Sequence, residues 1–210
     1  MVLSVLTLVF LIAYIGLMSM YLIGWYRQKD TVIKDHYTPQ TFVIIVISAR
    51  NELLHIERLL KSIFQNSYPL HLFEVIVVDD FSEDNTAALI ENFKQNYPLK
   101  LIRLSDRLSN NERLNSYKKN AIEIAINEAK GKLIITTDAD CSVPTTWIDT
   151  FVNIYQSNKA RFIIAPVVYS NLSKQKMSFL LMPFQSLDFL TMQGITAALA
   201  DKSWSSMCNG

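Results

Sequence analysis

The sequence predicts an α/β fold with a mostly parallel central sheet and helices on both faces. Short apolar runs alternate with amphipathic segments from residue 41 onward, and half of the 210 residues are hydrophobic. Before this alternation, residues 2–26 carry no charge. We therefore expect a membrane-spanning segment at 1–26, a linker at 27–40 and an α/β domain at 41–170.

The first segment is long enough to cross a bilayer. As a helix, residues 2–26 would extend about 37 Å, against a hydrocarbon core of about 30 Å. A cleaved signal peptide is the alternative, but no basic region precedes the apolar stretch, and residues 24–26 are typical of an interfacial belt. Because Arg27, Lys29 and Lys34 follow it, the positive-inside rule predicts a single-pass inner-membrane protein with its main domain in the cytoplasm.

Apolar periodicity predicts five strands and four helices after the linker. The predicted strands are 41–47, 73–78, 99–104, 133–137 and 162–168. The predicted helices are 52–66, 85–96, 117–130 and 144–156. Gly131 is expected to close the third helix and Pro144 to open the last one.

The composition argues against several classes of protein. Lysine and arginine total 20 against 19 acidic residues, and no basic run is interleaved with aromatics, so nucleic-acid binding is not expected. Cys141 and Cys208 form no CxxC pair, which argues against a disulfide framework or a zinc site. Neither a GxGxxG motif nor a Walker loop can be built from the few glycines after residue 30.

Polar residues follow three of the predicted strands. The sequence Ser-Ala-Arg-Asn-Glu occupies 48–52, Asp79 and Asp80 follow the second strand, and Asp138 and Asp140 follow the fourth. The carboxyl ends of parallel strands meet at one edge of a sheet, and ligands of such sheets bind there. We therefore expect these residues to lie together at one edge of the sheet.

Asp138 and Asp140 are separated by one residue at a strand end, so an extended backbone would point both carboxylates the same way. Such a pair suits Mg²⁺ or Mn²⁺, which would let a diphosphate lie beside acidic side chains. The alternative is that one of these aspartates, or Ser142, caps a helix beginning at Pro144. The spacing of two aspartates alone favours capping.

The set SARNE, VVDDFSED, SYKKNAIEIAI and GKLIITTDADC, taken together, resembles glycosyltransferase family 2 between residue 43 and about residue 160. This resemblance implies a GT-A fold and an enzyme that transfers a sugar from a nucleotide-diphosphate donor, a UDP-sugar, with Mg²⁺ or Mn²⁺. Many members have glycine where this chain has Phe81, so the turn after the aspartate pair is expected to differ.

The resemblance also implies roles for individual residues. The segment that lines the uridine pocket corresponds to Ala49, Arg50, Asn51 and Glu52. Asp79 and Asp80 would hold the base and ribose, since carboxylates accept from N–H and O–H donors. Asp140 would bind the metal, with Asp138 beside it and near the donor sugar. Lys118 would pair with donor phosphate, and Lys119 is the competing candidate.

Residues 171–210 are strongly apolar in their first half. Asp188 and Pro183 make a second membrane crossing unfavourable, so an interfacial or acceptor-side segment is expected. The last four residues resemble the opening of the family's acceptor-site motif, which predicts that this segment is incomplete and that the general base, part of a Glu-Asp pair, lies beyond it. Asp201 is the remaining candidate for that role.

The leading hypothesis is an inverting, metal-dependent glycosyltransferase acting on a lipid or polysaccharide acceptor hydroxyl. Its rival is a noncatalytic module that binds a nucleotide sugar but lacks the general base. A third hypothesis is a nucleotidyltransferase. The membrane segment and the lack of a triphosphate-binding loop after the first strand argue against it.

Overall fold

The computed structural model describes residues 2–27, 38–107, 117–158, 162–165, 167–169 and 186–187. The chain divides into two compact units. One comprises Met1–Asp30 and Ile164–Asn209, and the other comprises Thr31–Ile163 and Gly210.

In the first unit, helix α1 spans Val2–Tyr26, and large apolar side chains are exposed along its whole length. Two of its hydroxyl groups bond to the helix backbone: Thr7 Oγ1 donates to Leu3 O at 2.9 Å, and Ser19 Oγ donates to Ile15 O at 2.8 Å. Internal partners reduce the cost of placing these polar groups in hydrocarbon. Among the described residues, this is the one helix long and apolar enough to cross a membrane.

The second unit is built on a sheet whose described strands are all parallel. These strands are β1 (Val43–Ala49), β2 (Phe73–Asp79), β3 (Leu99–Arg103) and β4 (Leu133–Asp138), in the order β3-β2-β1-β4. Valine and isoleucine dominate the two central strands, which are buried on both faces. The first four predicted strands therefore form, with small shifts at their ends.

Among the described residues of this unit, three helices and two short 3₁₀ turns lie between the strands, and a fourth helix follows β4. The helices are α2 (Ile56–Phe64), α3 (Thr86–Lys94), α4 (Tyr117–Glu128) and α5 (Trp147–Asn158). The 3₁₀ turns are Leu70–Leu72 and Leu104–Asp106.

The core lies on both faces of the sheet, because alternate residues of β1 point in opposite directions. Val43, Ile45 and Ile47 belong to a cluster that includes residues of α2, α3 and α5. Ile44 and Val46 pack instead with α4. The crossover from β3 to β4 returns past β1, and a right-handed connection in that direction puts its helix on the opposite face. The expected arrangement of helices on both faces is confirmed.

Three local predictions were wrong. The expected fifth strand is not formed in the described residues 162–165 and 167–169, and Pro166, between them, has no N–H to donate to a strand ladder. The last helix begins at Trp147 rather than Pro144; Pro144 lies in the preceding turn and accepts from the Trp147 N–H at 3.1 Å. The first helix of the domain begins at Ile56, after a turn, rather than at Glu52.

Gly131 does not close α4 as expected, since the helix already ends at Glu128, and no described glycine has a positive φ. A Cβ at this position would lie 2.7 Å from Ile44 Cγ1 and 2.9 Å from the carbonyl oxygen of Phe42. The glycine is therefore required because the chain passes against the start of β1.

Ion pairs link the end of α4 to β3 and to the turn that follows β3. Glu128 forms ion pairs with Lys100 and with Arg107, and these partners are half exposed. The hydrogen bond from Lys100 and the proximity of Arg107 lower the pKa of Glu128 below its ordinary value of 4.5. A lowered pKa in the folded state means that this carboxylate stabilises the fold when it is ionised.

We predict that Glu128→Gln lowers the free energy of unfolding at pH 7 by roughly 0.5 to 1 kcal/mol, the range for exposed ion pairs. This loss should shrink as the pH falls below about 4.5 and through the lowered folded pKa, because the carboxylate is then protonated in both states. Urea unfolding of the chain in detergent at several pH values measures it. Glu123→Gln, an exposed change on the same helix, is the control. An equal loss at pH 7 and at pH 3 would contradict the assignment.

Candidate functional site

The polar ends of three strands meet at one edge of the sheet, as predicted. Strand β1 lies between β2 and β4, with Ala49 opposite Asp79 and Ser48 opposite Asp138. The chain leaves β1 toward β2 and β3 and later returns to its other side as β4. This reversal of direction makes the gap between β1 and β4 the topological switch point, where ligands of open parallel sheets bind.

Two aspartates at the end of β2 are buried with acceptor atoms that have no partner. Asp79 and Asp80 are 3% and 5% exposed, and the Oδ1 atom of each has no hydrogen-bond partner among the described residues. Burial raises the pKa of Asp80, an effect that nearby Arg50 opposes and Asp79 reinforces. Arg50 Nη1 lies 4.0 Å from Asp80 Oδ2. Buried acceptors of this kind are usually satisfied in native proteins, so they fit a ligand that supplies N–H or O–H donors.

The loop after β1 has a fixed conformation next to these aspartates. Asp80 N–H donates to Ala49 O at 2.9 Å, which continues the pairing of β1 and β2 beyond the strand. Asn51 adopts a left-handed φ of 56°. Its N–H donates to Ser82 Oγ at 3.0 Å, and its Oδ1 accepts from the Glu83 N–H at 2.8 Å. The two loops are therefore held together by side-chain bonds as well as by the sheet.

Phe81 also adopts a left-handed backbone conformation, with φ of 54°. This is the conformation that glycine adopts at least cost, and a phenylalanine there costs roughly 1–2 kcal/mol. The Phe81 side chain packs against the core cluster on the α4 face, which offsets that cost. The turn after the aspartate pair thus keeps a glycine-type geometry although the residue is aromatic.

The second pair of aspartates lies across β1 from the first pair. Asp138 ends β4 and is half-buried, and Asp140 is exposed in the turn that follows. Burial raises the pKa of Glu52, and the carboxylates of Asp140, Asp138 and Asp84 raise it further, while His55 opposes them. Negative charge is therefore concentrated between the ends of β1 and β4.

Helix capping does not explain the Asp138 and Asp140 pair, because α5 begins only at Trp147. The described residues contain no group of three or more His, Cys, Asp or Glu side chains suited to a metal ion. Two carboxylates fit a different kind of metal site, in which a hard divalent cation completes its shell with substrate phosphate and water. The residues present thus fit a cation that binds together with an anionic ligand.

Arg58, which the sequence did not single out, holds the turn that contains Asp140. Its Nη2 donates to Asp140 O at 2.6 Å, from the first turn of α2. Farther along α2, Ser62 Oγ accepts from the Val143 N–H at 3.1 Å, and just beyond the end of the helix Asn66 Nδ2 donates to Pro144 O at 2.9 Å. These bonds fasten the segment after β4 to α2. A polar residue once per turn on one side of a helix, as at positions 58, 62 and 66, is the sequence signal.

Several predicted residues have no described side chain. Lys118 lies in the first turn of α4, but its side chain is outside the described part of the structure, whereas Lys119 is exposed. Asp201 and the proposed acceptor-side segment 171–210 lie outside the described residues, apart from positions 186–187, which are helical. Their roles remain predictions.

An apolar groove lies along β4, apart from the strand-end aspartates. It has a volume of about 820 Å³ and is lined by residues of α4, β4 and α5, together with Phe162 and Ile163. Its lining is mainly apolar and includes none of the strand-end aspartates. The polar edge at the switch point and this groove are therefore separate candidates for ligand binding.

The family model Glycosyl transferase family 2 matches residues 44–203, and the chain belongs to that family. The predicted resemblance is thus confirmed.

Individual relatives match about half of the chain. Glycosyltransferase AglE of Haloferax volcanii is 30% identical over 112 residues, which cover 53% of this chain and 34% of that protein. Beta-monoglucosyldiacylglycerol synthase of Synechocystis sp. is 28% identical over 120 residues, covering 57% of this chain and 24% of that protein. The chain therefore spans about a third or less of the length of these relatives.

A solved structure gives the fold. The mannosyltransferase PcManGT from Pyrobaculum calidifontis, in complex with GDP-Man and Mn²⁺, aligns with a TM-score of 0.54 and 22% identity, over 81% of this chain and 47% of that chain. The second unit thus has the predicted GT-A type of fold.

Proposed function

We propose that this chain is the donor-binding part of a membrane-anchored glycosyltransferase that transfers a sugar from a nucleotide diphosphate to an acceptor hydroxyl with inversion. The observation that supports it most is the buried pair Asp79 and Asp80, whose unpartnered oxygens lie one strand away from the acidic turn at Asp138 and Asp140. One pair suits a nucleoside and the other suits its diphosphate with a cation. Both occur in a chain of glycosyl transferase family 2.

The nucleoside would bind at the ends of β1 and β2. Uracil offers an N–H and ribose offers hydroxyl groups. The carboxylates of Asp79 and Asp80 can accept hydrogen bonds from both. The backbone of residues 49–52 would form the wall of this pocket beside the two aspartates. A uridine nucleotide is proposed on these grounds and on the resemblance of the SARNE segment.

The diphosphate would lie toward the end of β4. Asp138 and Asp140 would bind Mg²⁺ or Mn²⁺ there, and the ion would neutralise the diphosphate and stabilise it as a leaving group. The Asp140 turn would keep its position through the bond that its carbonyl accepts from Arg58. Lys118 is proposed to add a positive charge near the phosphates.

In the reaction, the acceptor hydroxyl loses its proton to a carboxylate and attacks the anomeric carbon from the face opposite the diphosphate, which inverts the configuration. Among the residues of this chain, Asp201 is the remaining candidate for that carboxylate. The acceptor is proposed to be a lipid or a polysaccharide at the membrane. A named relative, beta-monoglucosyldiacylglycerol synthase, supports the lipid alternative.

We predict that the chain binds UDP more tightly when Mn²⁺ or Mg²⁺ is present, and that Asp140→Ala reduces this enhancement by at least about tenfold, since it removes a charged metal ligand. Calorimetry with UDP and each metal, on the chain in detergent, measures it. Asp106→Ala, an exposed aspartate away from the β4 turn, is the control. An unchanged enhancement in a folded Asp140→Ala variant would remove the metal from the proposal.

The same preparation separates an enzyme from a binding module. Incubation with radiolabelled nucleotide sugars and membrane lipids should yield a labelled product if the chain is an enzyme. Metal-dependent UDP binding without any product would favour the binding module. Release of pyrophosphate from a sugar phosphate and a nucleoside triphosphate would favour a nucleotidyltransferase instead.

We also predict that the chain fractionates with the inner membrane through α1, with Thr31–Ile163 on the cytoplasmic side. Transfer of the uncharged helix into hydrocarbon is favourable, and the basic residues after it favour placement of the following domain on the cytoplasmic side. Carbonate extraction with and without residues 2–26, and protease protection in inside-out vesicles, measure both points. Recovery of the intact chain in the soluble fraction without detergent would contradict the anchor.

A further inference from the structure

The loop after β1 leads into a turn that precedes helix α2. Ile56 N–H donates to Glu52 O at 2.9 Å across this turn, and the helix itself begins at Ile56 with His55 as its N-cap residue. The N–H groups of Glu52 and Leu53 lie ahead of the helix and do not bond to its carbonyls. They donate instead to side chains from the next loop: Glu52 N–H to Thr86 Oγ1 at 2.9 Å, and Leu53 N–H to Asp84 Oδ2 at 3.3 Å.

Asp84 and Thr86 act as a pair. Thr86 is fully buried, and its hydroxyl donates to Asp84 Oδ1. With its hydrogen directed at the carboxylate, the hydroxyl oxygen is left to accept from the Glu52 N–H. Asp84 Oδ1 also accepts from the Thr86 N–H at 2.9 Å. The hydrogen bond from the Thr86 hydroxyl is the main reason that the pKa of Asp84 is lowered from 3.8, so the group is ionised at neutral pH.

We propose that Asp84 and Thr86 form a clasp that positions the backbone of residues 50–53 for nucleotide binding. The inference rests on the proposed function, because that backbone is the proposed wall of the nucleoside pocket. Asp84 is a positioning residue: its carboxylate receives donors from Leu53 and Thr86 and acts on the nucleotide through the loop.

The clasp also determines where the diphosphate does not bind. Backbone N–H groups of a loop that leads into a helix can bind an anion such as phosphate. Here the Leu53 N–H already donates to the Asp84 carboxylate, and the Glu52 N–H already donates to the Thr86 hydroxyl. The negative charge of the donor is therefore left to the opposite side of β1, at the end of β4.

The test compares five variants of the full chain in detergent by two measurements. Asp84→Ala and Thr86→Val remove the clasp, Asp84→Asn removes part of it, Thr86→Ser keeps the hydroxyl, and Asp106→Ala is the control. Amide hydrogen exchange should be at least about tenfold faster at Leu53 in Asp84→Ala and at Glu52 in Thr86→Val, because each change removes the acceptor of that amide. It should be near the parent rate in Thr86→Ser and Asp106→Ala. Exchange in the core of β1 measures global stability and should change less.

The second measurement is the affinity for UDP with Mn²⁺. The two clasp variants should bind UDP roughly tenfold more weakly, while the metal still enhances binding in them as it does in the parent. A residue with a merely structural role would lower the amount of active protein and leave the affinity of the folded fraction unchanged. Asp84→Asn, which keeps one acceptor oxygen, should lie between the parent and Asp84→Ala, and it serves if the alanine variant fails to fold.

The outcomes separate the clasp from the proposed function. Faster exchange at residues 52 and 53 together with weaker UDP binding supports the clasp. Parent-like exchange in a folded Asp84→Ala or Asp84→Asn variant overturns it, and so does faster exchange with unchanged UDP affinity. A parent chain that binds no UDP overturns the proposed function and, with it, the positioning role, whereas exchange still tests the hydrogen bonds of the clasp.

Discussion

The parallel pairing of β1 on both of its sides is the constraint on which the rest of the second unit depends. Because Ala49 is in register with Asp79 and Ser48 with Asp138, two acidic turns emerge on either side of one short loop. A shift of one residue in either pairing would turn the side chains that follow toward the other face of the sheet. Because β1 and β2 are buried on both faces, such a shift would require both core clusters to repack, and the observed register therefore fixes the geometry of the site.

Electrostatics at this edge differ from those of a glycine-rich phosphate loop. In such a loop the backbone amides at a helix start receive the phosphate. Here the loop amides of Glu52 and Leu53, ahead of α2, already donate to Thr86 and Asp84, and the two pairs of aspartates, Asp79 with Asp80 and Asp138 with Asp140, lie on either side of β1. An anionic donor would be repelled by this set of carboxylates unless a cation bound with it. The bonds of Asp84 and Thr86, together with the aspartates at β4, thus support the proposed metal dependence.

Most of the fold could be predicted from the sequence, because continuous β-branched runs and helical periodicity report burial directly. The meeting of Asp79, Asp80, Asp138 and Asp140 at one edge followed from the parallel topology alone. The roles of Arg58, Asp84 and Thr86 could not be found in this way, since each acts on the backbone of a segment distant in sequence. Helix starts were also misplaced at Pro144 and Glu52, where a preceding turn, rather than the apolar pattern, decides where the helix begins.

The central claim is that the nucleotide binds at the ends of β1, β2 and β4. The most direct test is a hydrogen-exchange footprint of UDP with Mn²⁺ on the full chain in detergent. When UDP and Mn²⁺ bind, we expect slower exchange at residues 49–53, 79–84 and 138–141. Exchange in β3 and along the apolar groove beside β4 should not change. Protection confined to that groove, around Tyr155 and Phe162, would contradict it, and so would UDP binding that leaves the three strand ends unprotected.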